Sequence, residues 1–254
     1  MTPKETCERD GYVVFRDVLD ADLMAEASDH VDWLAARHPD LRPENYHHVL
    51  MRTDPFWVRL VSDPRLLDIA QQFIGPDIAL FASHYICKPP GDGLPVLWHQ
   101  DGAYWPLDPM EVVTLWLAVD DSDTENGCMR VIPGTQTLDL KALRKNAEVE
   151  SVLGSETPQE FFDESKAVDL VLRRGDVSVH NPRIVHGSEA NTSPRRRCGL
   201  TIRYIPTTTR VTNPEFGEVF LFRGEAVPGI NTYAPWPRFR AGEHMDFNGS
   251  EGWK

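Results

Sequence analysis

Two imidazoles and one carboxylate in this 254-residue chain have the types and spacing for chemistry: His99 and Asp101 in Trp98-His99-Gln100-Asp101-Gly102, and His186 in Val185-His186-Gly187-Ser188. If the first segment is a strand, positions 99 and 101 point to one face, because side chains alternate with a period of two. The pair can then share a metal. A histidine arriving from a distant strand completes two nitrogens and one oxygen on one face of an octahedron, with coordination positions left open, the arrangement of non-haem Fe(II) oxygenases. His-x-Asp alone is a weak signal, so the elements around it must carry the argument.

The first third of the chain reads as a strand and then helices. Gly11–Phe15 is a short apolar run, and Asp20 can cap a helix that carries Leu23, Ala27, Val31 and Leu34 at helical spacing. A second helix begins around Pro64, buries Leu66, Leu67, Ala70, Phe73 and Ile74, and stops at Gly75-Pro76. Between them Arg37–Pro55 is polar and without period, the pattern of a loop. From Ile78 the texture changes to short β-prone runs: Ile78–Lys88, Glu111–Val119, Cys128–Ile132, Ala167–Leu172, Asp176–Val179 and Cys198–Ile205. Such spacing predicts a sandwich or barrel, and Asn126-Gly127 between two runs signals a two-residue hairpin. The reading is one domain over residues 1–254.

Composition excludes much. With 26 Lys+Arg against 39 Asp+Glu, the formal charge is -13, which opposes binding to nucleic acid and to anionic membrane surfaces. The apolar run Leu115–Val119 is far short of the ~20 residues of a membrane helix. Residues 1–10 lack the apolar stretch of a secretory signal, so a cytoplasmic location is expected. Cys7, Cys87, Cys128 and Cys198 are scattered without a CxxC pair, which suits free thiols.

Trp98-His99-Gln100-Asp101, Val113–Ala118, Asn126–Thr135 and His186-Gly187-Ser188 through Asn191 to Arg197 together resemble the phytanoyl-CoA dioxygenase family, and Asp10–Val14 is similar to that family's start. The resemblance covers about residues 8–206 and leaves 207–254 as a C-terminal extension that can close over the pocket or cover a sheet edge. It implies a mainly β fold, a double-stranded β-helix (jelly roll) with an N-terminal α-helical layer packed on one sheet. It also implies Fe(II) held by His99, Asp101 and His186, with 2-oxoglutarate and O2 as cosubstrates. The arginine eleven residues after the distal histidine, Arg197, then anchors the far carboxylate of 2-oxoglutarate. Ser188 assists it, and Trp116 and His84 fall near positions lining the cosubstrate pocket. A strand shift of one would exchange His84 for Tyr85.

Alternation decides the arginine register independently. Arg196, Cys198, Leu200, Ile202 and Tyr204 form a mostly apolar face, and Arg197, Gly199, Thr201 and Arg203 a polar one. The apolar face, with Val113, Leu115 and Leu117, is expected against the helices. The polar face then lines the interior, where Gly199 is expected to leave room for the carboxylate. His180 is expected to stack or hydrogen-bond near the site rather than ligate, and Tyr46-His47-His48 to lie in a surface or lid loop. Tyr104 and Trp105 face substrate or pack.

The implied activity is hydroxylation or oxidative cyclisation of a small molecule, a polar natural-product intermediate such as a glycoside, with release of succinate and CO2 and no separate general base. An acyl-CoA substrate would need a basic patch for its phosphates, and the dense one, Arg195–Arg197, is largely taken by the cosubstrate. The remaining alternatives are a cupin-like enzyme that does not use 2-oxoglutarate, against which Arg197 argues, and a jelly-roll metal-binding protein without chemistry.

Overall fold

Thr2 and Glu5 cap each other: the Thr2 hydroxyl accepts the Glu5 N–H at 3.2 Å, and the Glu5 carboxylate accepts the Thr2 N–H at 2.8 Å. With Pro3 in the first turn, this starts α1 (Pro3–Asp10) in the computed structural model, which describes residues 1–253. After β1 (Tyr12–Phe15), Asp20 accepts the Leu23 N–H at 3.0 Å and opens α2 (Ala21–Arg37). The polar stretch expected to be a loop instead holds β2 (Tyr46–His47) and α3 (His48–Met51). Asp54 then caps α4 (Pro55–Val61), and α5 (Pro64–Ile74) follows. At four to eight residues, α1, α3 and α4 are too short to display a helical period. Such short helices are held by tertiary burial rather than by propensity, and in α4 Phe56, Trp57, Val58, Leu60 and Val61 are all buried.

The strands follow in order. β3 (Ile78–Lys88), β4 (Val96–His99), β5 (Leu107–Asp108), β6 (Val113–Ala118) and β7 (Arg130–Ile132) lead to a small β8 (Arg144–Lys145) and β9 (Ser155–Glu156) pair. β10 (Val168–Asp169), β11 (Val177–His180), β12 (Val185–Ser188), β13 (Arg197–Pro206), β14 (Arg210–Val211) and β15 (Phe220–Arg223) complete the chain. The larger sheet runs β1-β11-β6-β13-β3-β15, with β2 beside β3, and the smaller runs β10-β7-β12-β4. β3, β6, β11 and β13 thus fall in one sheet and β4, β7, β10 and β12 in the other, as a double-stranded β-helix requires.

That alternation overturns the hairpin expected at Asn126-Gly127. β6 and β7 lie in different sheets, so the turn carries the chain between layers. The Asn126 amide accepts from the Asp123 N–H and donates to the Asp121 carbonyl. Gly127, at φ +77°, passes so close to β12's exit that a β-carbon would stand 2.6 Å from the Glu189 carbonyl oxygen.

The helical layer packs where the alternation places it. Cys198, Leu200, Ile202 and Tyr204 of β13 and Val113, Leu115 and Leu117 of β6 share one buried cluster with Leu23, Val31, Leu66 and Trp57. The Tyr204 hydroxyl donates to the Val61 carbonyl at 2.6 Å, tying the sheet to α4. In the C-terminal extension, β15 adds to the edge of β3, and the Trp236 indole N–H donates to the Leu221 carbonyl, so this segment covers the sheet edge. No described helix is long and apolar enough to cross a membrane. The four cysteines are buried free thiols.

Candidate active site

Antiparallel pairing of β12 with β4 sets His186 directly opposite His99, with ring centroids 4.1 Å apart. Asp101 does not continue the strand. β4 ends at His99, and Asp101 opens a 3-10 turn, Asp101–Tyr104. The same-strand reading of the pair is therefore corrected, yet the turn still brings Asp101 Oδ1 to 3.4 Å from His99 Nε2 and 3.9 Å from His186 Nε2. Ligand atoms of the three buried residues all lie within 4.8 Å of one another.

Both rings are oriented by the same device. His99 Nδ1 is 2.8 Å from the Leu97 carbonyl, and His186 Nδ1 is 3.1 Å from the Ile184 carbonyl. A carbonyl can only accept, so each Nδ1 carries the proton and each Nε2 turns a lone pair inward, the orientation expected of metal-bound histidine. Burial, then the neighbouring His99, holds His186 well below the ordinary histidine range and therefore neutral. Burial alone would raise the Asp101 carboxyl, but Arg203's charge and the hydrogen bond from His180 outweigh it and keep the group ionised. Two imidazole lone pairs and a carboxylate facing one another in a buried site repel unless a cation lies between them. The donor set therefore fits a divalent metal.

His180, not a ligand in this geometry, reaches Asp101 Oδ2 from Nε2 at 3.3 Å. Tyr46 is buried on β2, while His48 stacks on Phe216 and lines the cavity. Among the described residues, the metal-ligand geometry belongs to His99, Asp101 and His186. The cavity above them has a volume of about 220 Å³. Tyr104 and Trp105 both line it. His84, paired with Thr201, also faces it, whereas Tyr85 points into the helical layer beside Trp57.

At the other end, Arg197 is 2% exposed and meets no carboxylate among the described residues. It donates to the Ile86 carbonyl at 3.2 Å and to Ser188 Oγ at 3.5 Å, its Nε lacks a partner, and it lies over the Trp116 ring at 5.4 Å. Burial pushes its pKa down to about 10, still charged at neutral pH. A buried, incompletely paired guanidinium has the charge and the free donor to receive an anion. Arg195 and Arg196 are placed differently: Arg195 pairs with Asp123 and Glu125 at the surface, and Arg196 with Asp120 and Asp32 on the helix-covered side.

The sequence reading assigned no role to Lys88. It lies opposite Arg197 in the β13–β3 register, is fully buried, and donates to Ser188 Oγ at 2.7 Å and to the Glu189 carbonyl. Its signal was the alternation His84, Ile86, Lys88 on the cavity face of β3. Phe81 and Phe216 were also missed as wall residues, because their convergence depends on a loop beyond β14.

A family model described as phytanoyl-CoA dioxygenase matches residues 7–199. Phytanoyl-CoA dioxygenase 1 of Oryza sativa subsp. japonica is 30% identical over 160 residues, 63% of this chain and 56% of that protein. The probable alpha-ketoglutarate-dependent hypophosphite dioxygenase of Stutzerimonas stutzeri is 32% identical over 147 residues, 57% of this chain and 51% of that protein. The chain thus spans about half the length of these curated relatives. Among solved structures, the apo form of the non-haem monooxygenase ThoJ shares the fold, with a TM-score of 0.79 at 24% identity over 93% of this chain and 88% of that one.

Proposed function

The chain belongs to the phytanoyl-CoA dioxygenase family, and from that premise we propose that it is an Fe(II)- and 2-oxoglutarate-dependent oxygenase acting on a small molecule. The observation that carries this reading is the pairing of an inward-facing His99, Asp101 and His186 set with the buried Arg197, which has no carboxylate partner among the described residues.

In this reading His99, Asp101 and His186 hold Fe(II). Bound iron supplies the oxidative decarboxylation of 2-oxoglutarate by O2, giving succinate and CO2, and the oxidation of the substrate C–H bond. Arg197 grips the far carboxylate with its planar fork, and Ser188 adds a hydroxyl. The Trp116 indole supports the guanidinium, and His84 lines the wall beside Thr201. Phe81, Trp105 and Phe216 keep water from the reacting face. No residue is assigned as a general base.

We assign the reaction to hydroxylation or oxidative cyclisation of a polar natural-product intermediate such as a glycoside. An acyl-CoA is disfavoured because Arg195 and Arg196 are both held in ion pairs and do not form a free basic patch for its phosphates. A jelly-roll binder without chemistry would have no use for a buried cation beside a metal set. The four buried free thiols suit a reducing, cytoplasmic setting.

Anaerobic titration with Fe(II) and then 2-oxoglutarate, followed by O2 and measurement of succinate, tests the reading. One Fe(II) per chain, saturable 2-oxoglutarate binding and succinate release are expected. Iron binding without any 2-oxoglutarate affinity would replace it with a metalloprotein of other chemistry.

A further inference from the structure

Resting on the oxygenase reading, a second buried arginine bears on what the substrate is. β13 directs Arg197 and Arg203 to the same face, about 20 Å apart along the strand at ~3.3 Å per residue. Arg203 is 11% exposed, its Nε has no hydrogen-bond partner among the described residues, and its anionic neighbour there is Asp101, at 4.0 Å. Once Asp101 directs its charge to a metal, Arg203 is left short of a counter-ion in a buried place, which is strongly unfavourable.

Its surroundings are aromatic. The guanidinium carbon lies 5.2 Å from the Trp105 ring centre, Phe81 meets Trp105 edge-on at 6.2 Å, and Phe216 stacks on Phe81 at 5.1 Å. His48 and His84, which face this compartment, add no charge at neutral pH, since burial above all holds His48 down to about 4 and His84 to about 3. Lys88 stands at the opposite, Arg197 end, and the buried Glu44 is paired with Arg42 at 3.0 Å. In a loaded site, Arg197 and Lys88 face one carboxylate of 2-oxoglutarate at the far end, while at the metal end Asp101 and the other carboxylate balance a divalent iron. Arg203 is the positive charge left over at the metal end.

We infer that Arg203 anchors the primary substrate, and that this substrate is a monocarboxylate whose apolar or aromatic body lies among Phe81, Trp105 and Phe216. One surplus charge matches a monoanion better than a phosphate dianion. The guanidinium fork offers two parallel hydrogen bonds to a carboxylate while its face stays on Trp105. The proposal narrows the polar small molecule to an acid.

Calorimetric titration under anaerobic conditions, on protein loaded with Fe(II) and saturated with 2-oxoglutarate, tests it. The probes are benzoate, cyclohexanecarboxylate and 3-phenylpropanoate, each beside its primary amide. At least one acid is expected to bind tenfold or more tighter than its amide. Arg203→Gln should bring that ratio close to one, and Arg203→Lys should keep part of it, both with unchanged iron stoichiometry and 2-oxoglutarate affinity. Equal binding of every acid and amide, or no binding of any, overturns the anchor. So does an Arg203→Gln protein that keeps the preference. Loss of iron in both variants also overturns it and makes Arg203 a positioning partner of Asp101. Failure of the parent protein to take up Fe(II) and 2-oxoglutarate at all instead sinks the oxygenase reading on which the anchor rests.

Discussion

Trp116 fills the space that Gly199 leaves: a β-carbon at position 199 would stand 1.9 Å from its Cζ2. The sequence reading reserved that room for a carboxylate, and the structure gives it to an indole. Gly199 and Trp116 belong to adjacent strands, and the Arg197 guanidinium lies 5.4 Å above the ring. The missing side chain therefore sets the floor on which the Arg197 guanidinium rests.

Gly199→Ala should displace the indole and cost about 1–3 kcal/mol of stability, the usual range for overpacking. Because the floor of Arg197 moves, 2-oxoglutarate affinity should fall roughly tenfold, a change of about 1.4 kcal/mol, with iron stoichiometry unchanged. Thermal unfolding and anaerobic titration measure both. An alanine variant with parental 2-oxoglutarate affinity would show that Trp116 does not support the anion site.

Arg197→Ala should weaken 2-oxoglutarate by on the order of a hundredfold or more, since losing a buried charge partner costs about 3–5 kcal/mol. Arg195→Ala and Arg196→Ala should change it only a few-fold, and Arg196→Ala should instead destabilise the link from β13 to α2 through Asp32 and Ser28. A larger loss of 2-oxoglutarate affinity for Arg196→Ala than for Arg197→Ala would contradict the strand register.

His99→Ala and His186→Ala should each abolish stoichiometric Fe(II) binding and succinate formation. His180→Ala should keep one iron per chain with affinity lowered about 10–100-fold, the effect of removing a partner that orients a ligand. Metal analysis after desalting separates the two classes, and a His99→Ala protein that retains parental iron would refute the ligand set.

Lys88 should make 2-oxoglutarate affinity depend on pH. Burial, then Arg197, pushes its pKa down to about 6, while Glu189, Glu44 and Cys128 oppose the shift. The lysine is thus largely neutral in the free protein at neutral pH. A dianion on Arg197 and Ser188 favours the ammonium form and raises that pKa, so binding takes up a proton. Affinity should be greatest below about 6 and fall as pH rises through the raised pKa of the complex. Calorimetry at neutral pH in two buffers of different protonation enthalpy reads the uptake, which Lys88→Met should remove. The same depressed pKa means the unfolded chain binds more protons between about 6 and the ordinary lysine range, so stability should rise with pH across that window. Zero proton uptake in the parent protein would rule the coupling out.

The local chemistry was legible along the chain because it repeats along the chain. Period-two alternation located the two faces of β6 and β13, separated Arg197 from Arg196 and placed the helices against Leu200 and Ile202. Asp20 and Pro64 marked two helix starts through capping and φ preference alone. The Thr2-x-x-Glu5 box and Asp54-Pro55 carried the same kind of signal for α1 and α4, but their short apolar faces had no period to support it.

Tertiary structure decided whatever depends on distance across the fold. Asn126-Gly127 has local hairpin chemistry, yet the jelly roll sends its flanking strands to different sheets, because each sheet must bury its inner face on the other. His99 and Asp101 meet through a strand end and a 3-10 turn rather than through alternation. Lys88, a hundred positions from its acceptor Ser188, and Arg203, buried beside Asp101 and Trp105, take their meaning from desolvation. A residue's type sets its charge, but only the packed interior removes the water that would otherwise make that charge unremarked.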